Sequence, residues 1–110
     1  MKVFISQPMK GKTEKEIREE RAEIIVKLMN KYPNIEILDN LIFAEEEPEN
    51  DRKALKLLTK SLFMLAEADL VCMAEGWTKS RGCKIEFDIA REYYVPIMLD
   101  GVGLWPDKER

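Results

Sequence analysis

Apolar positions along the chain fall into short unbroken runs, separated by longer stretches in which they recur every three or four residues. Residues 3–5 form a run of strand length, stopping at Ser6-Gln7-Pro8, where proline has no N–H to give to a sheet ladder. Thr13 with Glu16 three residues on is a capping box, which predicts a helix start. Ile17, Ile24, Ile25 and Leu28 then share one face, with Arg18, Glu19, Glu20 and Lys27 around the rest, until the pattern fades near Asn30. Tyr32-Pro33-Asn34 is a break, and residues 35–38 predict a second strand ending at Asp39-Asn40. The acidic stretch 44–51, with Pro48 inside it, has no packing face and reads as a solvated loop, the most mobile piece expected. Over residues 52–68, Ala54, Leu55, Leu58, Leu62, Leu65 and Ala68 predict a second helix. Residues 70–74 are continuously apolar, as in a central parallel strand buried on both faces. Gly76 permits a turn and Ser80 can cap a third helix reaching about Tyr93, with Ile85, Ile89 and Ala90 inward. Residues 95–99 predict a fourth strand, and the tail from Gly101 is short and polar-ended apart from Trp105.

Strands alternating with helices of this length require right-handed crossovers and a parallel sheet. The expected fold is α/β: a three-layer, doubly wound domain, flavodoxin-like or Rossmann-like, with a parallel sheet of about four strands spanning residues 1–110 as one unit. Such sheets bind ligands outside the carboxyl ends of their strands, where strand order reverses. That directs attention to the loops after Ile5, Leu38, Ala74 and Leu99.

Composition narrows the chemistry. Hydrophobic residues make up 45% of the 110 positions and charged residues 35%, the balance of a soluble globular domain. Eighteen basic against 21 acidic side chains give a net charge of -3, which offers no overall positive field for duplex nucleic acid. No window reads as a signal peptide or a membrane span, so a cytoplasmic protein with no membrane partner is expected. Cys72 and Cys83 are not a CxxC pair and read as reduced thiols. The chain has no histidine, so the commonest general base and metal ligand is missing. Neither a metal nor an organic cofactor is expected, and acid–base work falls to carboxylates, Lys, Tyr or Cys.

Two loops could carry chemistry. In Ser6-Gln7-Pro8-Met9-Lys10-Gly11-Lys12-Thr13, hydroxyls, lysines and a helix start suit an anion. No glycine stands five residues before Gly11, so this is not a P-loop, and the same residues would serve an ordinary connection with a Thr cap. In the second, Gly76-Trp77 leads to Ser80-Arg81-Gly82, a hydroxyl, a guanidinium and a bare backbone at a helix start. Glu86 follows four residues after Gly82, on the same side of the helix, so the missing side chain opens a way to its carboxylate. Against this, a helical Glu is ordinarily a solvated surface residue.

At these two loops the chain resembles a family. MKVFISQPMKGKT and the stretch AEADLVCMAEGWTKSRGCKIEFDIAREYYVPIML are similar to the nucleoside 2-deoxyribosyltransferase-like group, specifically its small phage-type domain of unassigned activity. The resemblance covers most of the chain and is most specific over residues 68–90, where Ala68-Asp69 opens the third strand. It implies that Glu86 is the nucleophile, that Ser80 and Gly82 hold a 5′-phosphate, and that Ser6 with the loop after it, Gln7, Pro8 and Met9, lines the base and sugar side; from the second loop itself, Arg81 is expected to join the phosphate site and Gly76 and Trp77 the pocket. Two aspartates of the group's enzymes are replaced: Ser61 stands about 25 residues before Glu86 and Ser80 six before it. Retaining glycosidic chemistry normally uses two carboxyl groups. Asp39, at the end of the second strand, and Glu75, after the third, could supply another from the same edge, against the ordinary role of each as an exposed loop residue.

The expected function is cleavage or exchange of the N-glycosidic bond of a 2′-deoxynucleoside or its 5′-monophosphate, with that small molecule as partner. The rival is a nucleotide-binding or sensor module of the same fold without turnover. Trp77, Trp105, Tyr93 and Tyr94 could stack on a base or serve as core or interface anchors, and a helix face of so small a domain could be buried in a homodimer or higher homo-oligomer.

Overall fold

The core has two sides because its central strands carry unbroken apolar runs, Val3-Phe4-Ile5 and Leu70 to Met73. In the computed structural model, which describes residues 1–41 and 50–106, strand β1 (Lys2–Ser6) is buried from Val3 onward and β3 (Leu70–Met73) throughout. Successive side chains of a strand point to opposite faces. Val3, Ile5, Leu70 and Cys72 therefore pack with Ile24 and Leu28 of α1 (Glu14–Lys31) on one face. Phe4, Val71 and Met73 pack with Leu65 of α2 (Asp51–Leu65) and with Cys83 and Ala90 of α3 (Arg81–Glu92) on the other. The result is a single compact three-layer α/β domain, and no helix among the described residues is long and apolar enough to cross a membrane.

With β2 (Glu36–Ile37), β4 (Ile97–Leu99) and β5 (Gly103–Trp105), the sheet runs in the order β2-β1-β3-β4-β5. The first four strands are parallel and β5 is antiparallel to β4. The chain leaves β1 for α1 on one face and leaves β3 for α3 on the other. Strand order thus reverses between these two neighbours, and their carboxyl ends open a crevice.

The sheet has five strands where the sequence predicts about four. Gly101 and Gly103 adopt φ of 78° and 126°, a region most side chains avoid, and this turns the tail back onto β4 as a hairpin. There Trp105 meets Phe87 edge-on at 4.9 Å, while Trp77 stacks on the same ring at 4.4 Å.

The first and third predicted helix starts hold. The Thr13–Glu16 capping box is present and Ser80 caps α3. Helix α2 begins one residue before its predicted start, because the Asn50 side chain caps it, and ends earlier than predicted. Its last turn tightens through Glu67 and Ala68 so that Asp69 can engage Lys2, its carboxylate accepting from the Lys2 N–H at 2.7 Å. Leu55, predicted inward, is more than half exposed. The predicted acidic loop lies outside the described residues apart from Asn50 and Asp51. Strand β2 is only two residues long, since the chain turns at Asn40, whose N–H donates to the Leu38 carbonyl at 3.1 Å.

Candidate functional site

The alternation along β1 sends Ser6, its last residue, to the same face as Phe4, toward α3. There the Ser6 hydroxyl donates to Glu86 Oε1 at 2.7 Å. The buried stripe of α3 is Cys83, Glu86 and Ala90, so a carboxylate occupies a core-facing position, only 7% exposed. The predicted inner face, Ile85, Ile89 and Ala90, is rotated: Ile85 and Ile89 are half-buried, and Cys83 and Glu86 take the inside. The Ser80 cap and the close Ser6 contact fix that rotation.

Burial pushes the Glu86 carboxyl up to about 7, with the Ser6 hydrogen bond pulling the other way. Glu86 is the sixth residue of α3, past the first turn in which the helix dipole acts, so desolvation decides the outcome. Near neutral pH the group exists in both protonation states and can serve as a nucleophile when ionised or as an acid when not. Burial also raises the Cys83 thiol, against the Ser6 and Ser80 hydroxyls, which lower it, so the sulfur beside Glu86 is a neutral thiol.

The two predicted loops do meet here. Gly76, at φ 87°, comes so near the first loop that a Cβ there would lie 3.9 Å from Pro8 Cγ. A Cβ on Gly82 would have no atom within 4 Å, so the space over the first turn of α3, one turn from Glu86, is open. Pro8, Met9, Trp77 and Ser80 are half-buried around this crevice, and the Ser80 hydroxyl accepts from the Cys83 N–H at 3.4 Å. Trp77 has one ring face taken by Phe87. Arg81 is exposed and pairs with Asp51, the first residue of α2, at 3.1 Å. Gln7 is buried; its amide donates to the Ile17 carbonyl at 2.8 Å, and its Oε1 has no partner among the described residues. Asp39 and Glu75, the two further carboxylates expected at this edge, are exposed, and Asp100 after β4 is half-buried and pairs with Lys27 at 3.4 Å.

A polar cluster that the sequence reading passes over lies beside these residues. Arg21 is buried within the stripe Ile17–Arg21–Ile24–Leu28, and one of its terminal nitrogens, Nη2, donates to the Leu38 carbonyl at 2.9 Å and to Asn40 Oδ1 at 2.7 Å. Asn40 is also buried and donates through Nδ2 to the Ile5 carbonyl at 2.8 Å. The readable signal is a charged residue at the one position where an otherwise apolar helical stripe should continue. Among the described residues, no group of three or more His, Cys, Asp and Glu side chains could hold a metal ion.

Residues 1–99 match the family described as Domain of unknown function (DUF4406). The chain belongs to this family. No curated protein matches the DUF4406 chain. Its fold is similar to the crystal structure of a conserved protein from Enterococcus faecalis V583, with a TM-score of 0.60 and 14% sequence identity. The match covers 89% of the DUF4406 chain and 61% of that protein, so the likeness is one of fold with part of a longer chain.

Because Glu86 titrates at about 7 in the folded DUF4406 domain and at 4.5 in a free chain, the folded state keeps a proton between those values that the unfolded state has lost. Stability therefore falls as pH rises through that window, by roughly 3 kcal/mol in total. Glu86→Gln removes this dependence and is expected to be more stable than wild type at pH 8 by about 1–3 kcal/mol. Urea unfolding of both proteins at pH 5 and pH 8 measures it, and an identical pH slope in the two would refute the buried, titrating carboxyl.

Proposed function

We propose that the protein cleaves or exchanges the N-glycosidic bond of 2′-deoxynucleosides or their 5′-monophosphates, with Glu86 as nucleophile. The observation that carries this reading is a carboxylate set into the core-facing stripe of α3, at the carboxyl edge where strand order reverses, bonded to Ser6 and approached through the open space over Gly82. The strand order β2-β1-β3-β4-β5 supports the finer assignment of a flavodoxin-like doubly wound sheet. The similarity of both loops to the nucleoside 2-deoxyribosyltransferase-like group supports the substrate class.

In this reading Ser6 holds Oε1 and favours the ionised carboxylate, leaving Oε2 to attack the anomeric carbon. The C–O bond to Glu86 forms as the C–N bond breaks; the bonding pair leaves with the base, which takes up a proton from solvent. Water, or a second base in a transfer, then displaces Glu86 from the sugar. Ser80, Arg81 and the Gly82 backbone hold the 5′-phosphate at the start of α3. Ser6, Gln7, Pro8 and Met9 face the sugar and base, with Gly76 and Trp77 closing the other side.

The second reading, a nucleotide-binding module without turnover, is favoured by one specific observation. Glu86 is the one buried carboxylate among the described residues: Asp39 and Glu75 face solvent, Asp100 is half-buried but engaged by Lys27, and Ser61 of α2 brings no acid.

Incubation with the common deoxynucleoside 5′-monophosphates, followed by chromatography for free base, separates the two. Wild type is expected to release base with kcat/KM rising as pH passes about 7, the value at which the nucleophile ionises, and Glu86→Gln to bind nucleotide but release none. Binding without release from any of these nucleotides would leave the binding module standing.

Arg81→Ala removes only an exposed ion pair, worth little to the fold. It should weaken nucleotide binding at least about tenfold while leaving the matching nucleoside nearly unaffected. Equal loss for both ligands in calorimetric titration would place the phosphate elsewhere. Gly82→Leu meets no protein atom near its Cβ and should keep or slightly raise the melting temperature, since glycine is a poor helix former. The same substitution is expected to block ligand binding; unchanged affinity would show that the ligand does not enter over Gly82.

A further inference from the structure

The carboxyl end of β1 is held differently on its two sides. Toward β3 the backbone ladder continues to the end, with the Ala74 N–H donating to the Ser6 carbonyl at 2.8 Å. Toward β2 the Met1 carbonyl accepts from the Glu36 N–H at 2.8 Å and the Val3 carbonyl from the Leu38 N–H at 2.9 Å. The next rung belongs to the Ile5 carbonyl and the Asn40 N–H, yet that N–H has turned away to the Leu38 carbonyl. The Asn40 side chain supplies the rung instead, Nδ2 donating to the Ile5 carbonyl at 2.8 Å.

An amide can make that bond only if its nitrogen, not its oxygen, faces the carbonyl. Arg21 decides this, because Nη2 requires an acceptor and takes Asn40 Oδ1 at 2.7 Å while also binding the Leu38 carbonyl. The arrangement is costly. Burial pulls the Arg21 guanidinium below its ordinary value, against the raising effect of Asp39 and with a lesser lowering from Arg18, and Nη1 is buried without a partner among the described residues. Apolar side chains of similar volume would commonly serve stability as well or better. What they could not do is fix the last turn of backbone before Ser6, whose hydroxyl must lie within hydrogen-bond reach of Glu86.

We infer that Arg21 and Asn40 are positioning residues: they replace the missing rung of β2, fix the carboxyl end of β1, and so hold the Ser6 hydroxyl on Glu86. Neither touches the carboxylate. Glu86 receives the Ser6 hydroxyl from β1 and acts on Cys83 of its own helix, while the Ser80 cap and the Lys12 ammonium of the loop after β1, itself paired with Glu20 at 2.8 Å, act on Cys83. This inference deepens the reading of Glu86 as the functional carboxylate, but its central readout is a proton and requires no substrate.

The test is carbon-13 NMR titration of the Glu86 carboxyl in glutamate-labelled full-length protein, the resonance being assigned by its loss in Glu86→Gln. Ser6→Ala removes a bond that favours the ionised form and should move the titration upward. Arg21→Met/Asn40→Leu, which exchanges the whole buried polar unit for apolar side chains, should produce the same upward displacement, and combining it with Ser6→Ala should add nothing further. A simple loss of the Arg21 charge would instead add to the Ser6→Ala shift, and that outcome overturns the inference. Asn40→Ser keeps Arg21 and its charge, shortens the rung, and is expected to move Glu86 in the same direction. A folded variant of either kind whose Glu86 titrates as in wild type refutes the positioning role, and failure of both to fold would assign the pair to the fold alone. Titration shifts without base release would leave the positioning role intact and count only against the glycosidic reading.

Discussion

Everything at the crevice depends on β1 being paired on both edges and buried on both faces. A strand in that position has no freedom to slide, because a shift of one residue would turn every side chain to the opposite face and break both ladders at once. Val3 and Ile5 are committed to α1, Phe4 to α2 and α3, and Ser6 must then face α3. The polar end of the strand is therefore aimed by the apolar part of it. The hydroxyl reaches Glu86 at 2.7 Å because the three preceding residues leave it nowhere else to go.

The same constraint sets the electrostatics. A carboxyl in the stripe Cys83–Glu86–Ala90 loses most of its water, and Ser6 restores only part of what hydration would have supplied to the charged form. The balance falls near neutrality, where small changes in hydrogen bonding alter the charge. An exposed glutamate would be ionised at every physiological pH and indifferent to its neighbours. A fully apolar surrounding without Ser6 would hold it neutral. The site is responsive because one short hydrogen bond opposes a large desolvation effect.

The layered fold was legible because its signals are periodic: the apolar runs of β1 and β3, the Thr13–Glu16 box, and the Ser80 cap each specify one local geometry. Strand β5 was not, since three residues carry no period, and only the pair Gly101 and Gly103 hinted at a hairpin. Helix α2 shows the opposite limit. Its apolar residues at helical spacing predicted the helix, but periodicity does not say how deep each lies, and Leu55 and Phe63 are exposed. At the site, Glu86 was found through its spacing from Gly82 and through resemblance. Arg21 and Asn40 were missed because a lone Arg among Glu19, Glu20 and Glu23 looks like one more surface charge, and an Asn after a strand looks like a turn.

Arg21 and Glu86 nevertheless carry the same mark. Each is an ionisable residue at the position where a buried helical stripe calls for an apolar one, Ile17–Arg21–Ile24 in α1 and Cys83–Glu86–Ala90 in α3. Both positions weaken the fold relative to an apolar residue, by the desolvation of a charge or the binding of an extra proton. The two lie on opposite layers of the sheet and do not touch. What joins them is the end of β1: Arg21 acts on it from one side through Asn40 and the Ile5 carbonyl, and Glu86 receives the Ser6 hydroxyl from the other. Two separate departures from good packing converge on one backbone segment, and the reaction proposed for the crevice needs that segment held still. A domain selected for stability alone has no reason to place a charge in each layer and connect them across its central strand.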